Sequence, residues 1–291
     1  MAKGRELKGR IKSVEGTRKI TRTMEMVATS KLKRAQDRVV AARPYAQSLA
    51  QVIADLYTPE LAERFPLLRQ PAASPQSGGR AAVLLLTSNR GLAGAFNSNL
   101  IREARSLIER LERAGTAVDL HVVGRKGIGF FRYAGRQLAT MRTDIGDRPS
   151  AEHAAELVQE LMGDFTAERL DAVYVVYAKF NSAISTPPVS EMVLPVTPPE
   201  RKGPARDYIL LPSAEAILTE LLPLYVRNAV YRALVETVAG EQGARRTAMK
   251  NATDNAGDML NILRRTYNRA RQAQITQEIA EIVGGAEALQ G

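Results

Sequence analysis

The stretch LLLTSNRGLAGAFNSNLIREA (Leu84–Ala104) contains the parts of an α/β unit in consecutive order. A run of branched apolar residues is followed by a loop with Gly91 and Gly94, and then by an amphipathic pattern. A strand, a glycine-containing loop and a helix in this order also open many nucleotide-binding domains. The segment therefore predicts a strand-to-helix unit and raises the question of whether its loop holds a nucleotide.

The loop does not carry the glycine pattern of a phosphate site. TSNRGLAGAFN (87–97) has the spacing G-x-x-G, which matches neither the dinucleotide pattern nor the lysine-containing phosphate loop. The later segment VGRKGIGFF (123–131) also matches neither of these two patterns. Arg90 could meet a phosphate, but a lone arginine in a surface loop usually has a solvated or protein-contact role. We therefore interpret the loop as a tight turn that its glycines permit.

The surrounding sequence alternates apolar runs with amphipathic stretches, which predicts a mainly parallel sheet covered by helices. The predicted strands cover 81–87, 117–123, 171–180 and 189–196, and the predicted helices cover 97–114, 125–134 and 151–163. Prolines bound the last strand, which favours an edge position. The segment 58–80 is rich in proline, serine and glycine and predicts a linker.

Both ends of the chain predict long helices, over 5–57 and 223–283, with Pro223 in the first turn of the second. Each end has apolar or small residues in steps of three and four, the spacing of a coiled-coil seam. The N-terminal seam is predicted at Leu32, Ala35, Val39, Ala42, Ala46, Leu49, Ile53 and Leu56, and less regularly at Leu7, Ile11, Val14, Met24 and Val27. The C-terminal seam is predicted at Arg245, Met249, Ala252, Ala256, Met259, Leu263, Thr266, Ala270 and Ala273.

The two seams can bury each other if the central segment returns the chain close to its starting point. The helices are then antiparallel, with residue 56 beside about residue 225 and residue 5 beside about residue 276. This arrangement predicts a coiled coil formed by 1–57 and 213–291, a linker at 58–80 and an α/β domain at 81–212.

Charge and composition limit the chemistry of the chain. Residues 1–38 carry a net charge of +8, out of +10 for the whole chain, which attracts acidic partners. The chain has no cysteine, which excludes disulfides and favours a reduced compartment. His121 alternates with apolar residues and suits a structural role, and no cluster with His153 predicts a metal site. Glu278 and Glu281 share a helix face, where we interpret them as solvated or partner-facing charges.

The C-terminal segment ITQEIAEIVGGAEA (275–288) resembles the signature of the gamma subunit of the F-type rotary ATP synthase. The matching positions are Ile275, Thr276, Glu278, Glu281, Gly285, Ala286 and Ala288. Residues 10–36, 84–99, 248–259 and 267–276 also resemble segments of this family. The resemblance covers nearly the whole chain and is weakest at 58–80 and 197–207. It implies an α/β fold class in which an antiparallel coiled coil of the end helices carries a central Rossmann-like domain.

The resemblance also implies a function. The chain would be the central-stalk rotor that couples rotation of the membrane c-subunit ring, driven by protons, to ATP synthesis at the beta subunits. Its partners would be the alpha and beta subunits, the epsilon subunit and the c-ring, with no nucleic acid, no cofactor and no catalysis of its own. It would lie peripherally on the cytoplasmic face of a bacterial plasma membrane. Without cysteine it cannot use the thiol switch of the plastid members.

The resemblance places six partner-contact residues on the two end helices. Met24 and Lys31 match the positions where the N-terminal helix passes acidic loops of the beta subunits. Arg271 and Gln272 match a contact of the C-terminal helix with beta, and Thr276 and Glu278 lie one to two turns further on. The alternative interpretation is that these six residues are ordinary solvated positions on the helix surface and contact no partner.

Two other functions remain open at the level of the residues. A basic coiled coil could track the phosphates of a nucleic acid, although the chain lacks the interleaved aromatics of single-strand binders. A small nucleotide-dependent α/β enzyme would bind ATP or a dinucleotide at the loop after the first strand.

Overall fold

A computed structural model describes residues 2–58, 63–69, 79–197 and 213–290, with the side chains of 2–4 and 287–290 left out. Residues 59–62 and 70–78 of the predicted linker, and 198–212 at the end of the predicted α/β domain, lie outside the described residues. Within the described part of the chain, no helix is long and apolar enough to cross a membrane.

The elements follow the predicted order closely. The helices are α1 (Ala2–Leu56), α2 (Phe96–Arg113), α3 (Arg125–Tyr133), α4 (Ala151–Thr166) and α5 (Ala214–Gln290), with a short 3-10 helix at Pro66–Leu68. The strands are β1 (Arg80–Leu86), β2 (Ala117–Val123), β3 (Thr140–Arg142), β4 (Ala172–Ala178) and β5 (Pro188–Leu194). The short strand β3 is an addition to the predicted set.

The strands form one sheet in the order β3-β2-β1-β4-β5. The first four are parallel, and β5 pairs antiparallel with β4 at the edge. Both the mainly parallel sheet and the edge position of the proline-bounded strand are confirmed.

The chain divides into two compact units, which are described separately. The domain unit is Thr29–Arg245, and the helical-pair unit is Met1–Ala28 with Arg246–Gly291.

The central strand β1 divides the core of the domain unit into two clusters. Leu84 and Leu86 face a cluster that includes α4, the end of α1 and the start of α5. Val83 and Leu85 face the opposite cluster, which is formed with α2 and α3. Because successive side chains of a strand point to opposite faces, a strand covered on both sides is apolar throughout.

Within the helical-pair unit, α1 and α5 run antiparallel. The Arg264 guanidinium donates to Glu15 at 2.6 Å, and the Thr253 hydroxyl donates to Thr21 at 2.8 Å. Residue numbers therefore rise on one helix as they fall on the other. The predicted antiparallel pairing is confirmed.

Three of the nine predicted positions of the C-terminal seam are wrong by one residue. Met259 is 53% exposed and the neighbouring Leu260 only 2% exposed. The buried or half-buried positions include Met249, Thr253, Ala256, Leu260, Leu263, Tyr267 and Ala270. The predicted Ala252 is half-buried, whereas the predicted Met259, Thr266 and Ala273 are exposed. Both sets step by three and four, so spacing alone does not choose between them.

The irregular part of the N-terminal seam also differs from the prediction. Val27 is 49% exposed, whereas Ala28 and Thr21 are buried. Together with Leu7 these residues follow a seven-residue repeat, the spacing of a coiled-coil seam. A threonine on this repeat was missed because its polar side chain gives no hydrophobic signal.

The prediction that Pro223 stands in the first turn of a helix is wrong. Helix α5 begins at Ala214, where the Ser213 hydroxyl accepts a hydrogen bond from the Ala216 amide at 3.2 Å, and Pro223 lies inside the helix. Leu218 and Leu222, before the proline, are buried in the domain core. This burial offsets the hydrogen bond that proline cannot make.

Candidate partner-binding surface

The loop after β1 is held by hydrogen bonds within the chain. The Thr87 hydroxyl donates to the Val123 carbonyl at 2.8 Å and accepts from the Gly127 amide at 3.0 Å. The Ser88 amide donates to the Asn97 side chain at 3.0 Å, which ties the two ends of the loop together. These contacts support the interpretation of the segment as a turn.

Only one of the two glycines in this turn has the left-handed backbone conformation that glycine favours. Gly94 has a φ of 56°, as expected, but the other left-handed residue is Leu92, with a φ of 61°. Gly91 instead contributes its carbonyl oxygen, which accepts from the Arg245 guanidinium of α5 at 3.3 Å.

Helix α5 packs against the carboxyl edge of the sheet, the edge at which open α/β sheets usually bind ligands. The Phe180 amide, just after β4, donates to the Glu236 carboxylate at 2.9 Å. Arg245 donates to Glu241 at 2.5 Å, and their side chains are only 9% and 8% exposed. Burial raises the pKa of Glu241, although the charge of Arg245 opposes the shift.

A cavity of about 320 Å³ remains between this edge and α5. Its lining includes Arg90, Asp147 and Glu241, so charges of both signs face it. Arg90 lies 4.0 Å from the Asp147 carboxylate. The arginine that could have met a phosphate therefore faces a carboxylate of its own chain.

His121 has the structural position that its sequence context predicts. Its ring Nδ1 lies 2.9 Å from the Thr140 hydroxyl, a contact between β2 and β3. Burial lowers its pKa below the ordinary value. Among the described residues, no group of three or more His, Asp or Glu side chains could hold a metal ion.

Four of the predicted contact residues share two turns of α5 and are exposed: Arg271, Gln272, Thr276 and Glu278. The Thr276 hydroxyl donates to the Gln272 carbonyl at 3.0 Å, and the Gln274 amide donates to Glu278 at 2.9 Å. Both contacts lie along the same helix, so these side chains remain available to a partner. Glu281 is likewise exposed and accepts from Gln277.

The other two predicted residues, on α1, are placed differently. Met24 is half-buried in the helical-pair unit. Thr21, one turn before Met24, contacts Thr253, which precedes Arg271 by about 27 Å of helical rise. Met24 and Arg271 therefore do not form one local site.

Lys31 has a partner within the domain unit. Its ammonium donates to the Asp147 carboxylate at 2.5 Å, and its side chain is 29% exposed. No pattern in the sequence indicates this contact, because the two residues are 116 positions apart. Sequence reasoning therefore missed the contact of Lys31 with Asp147.

The last part of α5 presents a basic band followed by an apolar one. The band contains four arginines, Arg264, Arg265, Arg269 and Arg271, and the nearest acidic residues in the sequence are Asp258 and Glu278. Among the described residues beyond it, the large apolar side chains that are exposed are Ile275, Ile279, Ile282 and Val283. Exposed apolar side chains on a charged helix are typical of a surface that contacts another protein.

Fold and surface together define a protein of an antiparallel helical pair and an α/β domain, with an exposed helix end suited to contact with other chains. The sequence model of the family described as ATP synthase matches residues 3–289. An ATP synthase gamma chain of Gemmatimonas aurantiaca is 68% identical and aligned over the full length of both chains. One of Moorella thermoacetica is 46% identical over 99% of this chain and 100% of that one.

Solved structures show the same fold. The central stalk and c-ring structure of the Tetrahymena thermophila mitochondrial ATP synthase contains a chain with a TM-score of 0.59 and 26% identity, covering 80% of this chain and 99% of that chain. A chain of the Euglena gracilis mitochondrial ATP synthase has a TM-score of 0.68 at 20% identity, covering 99% and 95%. The chain belongs to the family of ATP synthase gamma chains.

Proposed function

We propose that this chain is the central-stalk rotor of a rotary ATP synthase. It transmits rotation of the membrane c-ring, driven by protons, to the catalytic beta subunits and so couples ion translocation to ATP synthesis or hydrolysis. The chain is non-catalytic and works at the cytoplasmic face of a bacterial plasma membrane. Family membership and the likeness to solved central-stalk and rotor chains support this proposal.

The observation that carries the proposal is the exposed end of α5. Arg271, Gln272, Thr276 and Glu278 lie on a helix surface that the described part of the chain leaves exposed. We assign these residues, with Met24, to contacts with the surrounding alpha and beta subunits. The epsilon subunit and the c-ring are the remaining partners. Lys31 would reach a partner only in competition with Asp147.

The chemistry of this surface suits a part that turns inside a sleeve. Deep apolar anchors would trap the rotor at particular angles, because a large buried apolar area would have to be exposed to water before the rotor could turn on. Charged and polar side chains attract acidic loops over a longer range, up to about 8 Å at physiological ionic strength. The arginines before Thr276 therefore provide attraction with less locking at any one angle.

Charge reversal at Arg271 tests the proposed contact. We expect Arg271→Glu to lower ATP synthesis per assembled complex, because it places a negative charge opposite the acidic loops of beta. The matched control is Arg246→Glu, which makes the same change at an exposed position of the same helix outside the basic band. The measurement is the synthesis rate in membrane vesicles, divided by the amount of complex found by immunoblot. Equal rates per complex for Arg271→Glu and the parent would contradict the assignment.

Reconstitution with alpha and beta subunits tests the rotor function itself. A bead attached to the α/β domain should turn in one direction, in steps, when ATP is supplied. A competent alpha–beta hexamer that excluded this chain would refute the proposal.

A further inference from the structure

Asp147 stands on a loop between β3 and α4 that is anchored on both sides. The Asn89 side-chain amide donates to the carbonyls of Thr143 and Ile145 at 2.9 and 3.0 Å. Ile145 is buried in the domain core, and the Ser150 hydroxyl caps the first turn of α4. The loop therefore holds Asp147 at a defined position relative to the sheet.

From this loop, Asp147 contacts both long helices within the domain unit. Its carboxylate accepts from Lys31 of α1 at 2.5 Å and from the Gln242 side chain of α5 at 3.3 Å. Its backbone carbonyl accepts from the Arg38 guanidinium of α1 at 3.1 Å. One residue thus links three elements of the domain unit.

The two contacts with α1 are separated along the helix. Lys31 and Arg38 are one heptad apart, so they share a face and lie about 10 Å apart in rise. A helix held at two such points resists both rotation about its axis and sliding, whereas a single contact would act as a pivot.

The apolar packing at the same level does not supply this restraint. Leu32, Ala35 and Val39 of α1 pack with residues of α5 in an apolar cluster, whose other buried members are Phe180, Val235, Val238 and Ala239. Apolar contacts are non-directional and depend on the area buried, so small rotations change them little. Hydrogen bonds depend on the angle between donor and acceptor and weaken steeply when it changes.

We propose that Asp147 is a positioning residue that fixes α1 and α5 to the α/β domain and so resists torsion between them. Lys31 contributes to this restraint through its ion pair with Asp147. The torsional role rests on the proposed rotor function, because torque applied to the α/β domain must pass into the helices. Asp147 remains charged for this role: burial alone would raise its pKa, but the hydrogen bond and charge of Lys31 hold the pKa below its ordinary value.

Hydrogen exchange of the full-length chain tests the contact without any partner. We expect Asp147→Asn to speed exchange of the α1 amides in residues 29–42 about threefold, since a charge-assisted but partly exposed contact is lost. Lys31→Gln should have the same effect, and the double variant should exceed neither single change. Asp144→Asn is the control, because Asp144 is on the same loop but bonds to Arg142.

Torsional stiffness of the assembled rotor tests the function of the contact. The angular spread of a bead on the α/β domain, recorded during pauses, should be wider for Asp147→Asn than for Asp144→Asn or the parent chain. Parent-like exchange in Asp147→Asn would overturn the proposal, as would faster exchange with unchanged angular spread. A wider angular spread for Lys31→Gln without one for Asp147→Asn would overturn it too, because Lys31 would then act on a partner in the assembled complex. If the parent complex did not rotate, the proposed rotor function would be wrong. The exchange experiment would still test the contact separately, because parent-like exchange in Asp147→Asn would show that the contact does not restrain α1.

Discussion

Substitution of Gly243 by alanine has two opposing effects on stability that are of similar size. The structure decides which of them is larger. Gly243 lies inside α5, where alanine is favoured over glycine by about 0.8–1 kcal/mol. A β-carbon at this position, however, would lie 2.9 Å from the carbonyl oxygen of Ala183 in the loop between β4 and β5. That loop is closed by hydrogen bonds from Asn181 and Ser182 to the Ser185 carbonyl, both at 3.1 Å, so the oxygen cannot move freely.

Overpacking of this kind costs about 1–3 kcal/mol. Set against the gain in helix propensity, we expect Gly243→Ala to lower the free energy of unfolding by roughly 1 kcal/mol. The matched control is Gly163→Ala in α4, where the added β-carbon meets nothing within 4 Å. This control should stabilise the protein by about 0.8–1 kcal/mol, because only the propensity gain remains.

The assay is urea denaturation of the full-length chain followed by circular dichroism, with the midpoint and slope fitted together. The two variants should move the midpoint in opposite directions. If Gly243→Ala stabilised the chain as much as Gly163→Ala does, the close approach of α5 to the loop would have no energetic consequence. The reasoning would then be wrong.

Two further predictions concern buried charge. Glu241→Ala should cost about 3 kcal/mol in urea denaturation, because it leaves the buried guanidinium of Arg245 without its carboxylate. Replacing both residues by leucine should cost clearly less, and an equal cost would contradict this account. His121 has a pKa lowered by burial from 6.5, so the unfolded chain binds its proton more readily and stability should fall as the pH drops below 6.5. In His121→Gln the midpoint of urea denaturation should fall less between a pH above 6.5 and a pH below it. An unchanged fall of the midpoint with pH would show that the decline comes from other groups.

Local patterns predicted the elements because each one depends on spacing within a short window. Alternating and continuous apolar runs located β1, β2, β4 and β5 to within two residues. The three-residue strand β3 is too short to produce such a pattern, and it exists because its backbone pairs with β2. The segment 275–288 indicated the family because its residues match the family signature at seven positions with the same spacing.

The position of the helix seam shows the limit of that information. Met259 and Leu260 fit steps of three and four equally well, and only the facing helix determines that Leu260 is buried. Pro223 likewise suits a first turn by local rules, yet burial of Leu218 and Leu222 starts the helix earlier. In each case a contact with another element outweighs a local preference.

The sequence by itself determined the long helical ends, the mainly parallel sheet, the basic N-terminal segment and the family. The tertiary structure decided what the charged side chains do. Lys31 is one basic residue among twelve in 1–38, and only folding brings it to the carboxylate of Asp147. The reason is physical: the helix or strand preference of a segment depends on its neighbours in the sequence, whereas an ion pair depends on residues that folding brings together.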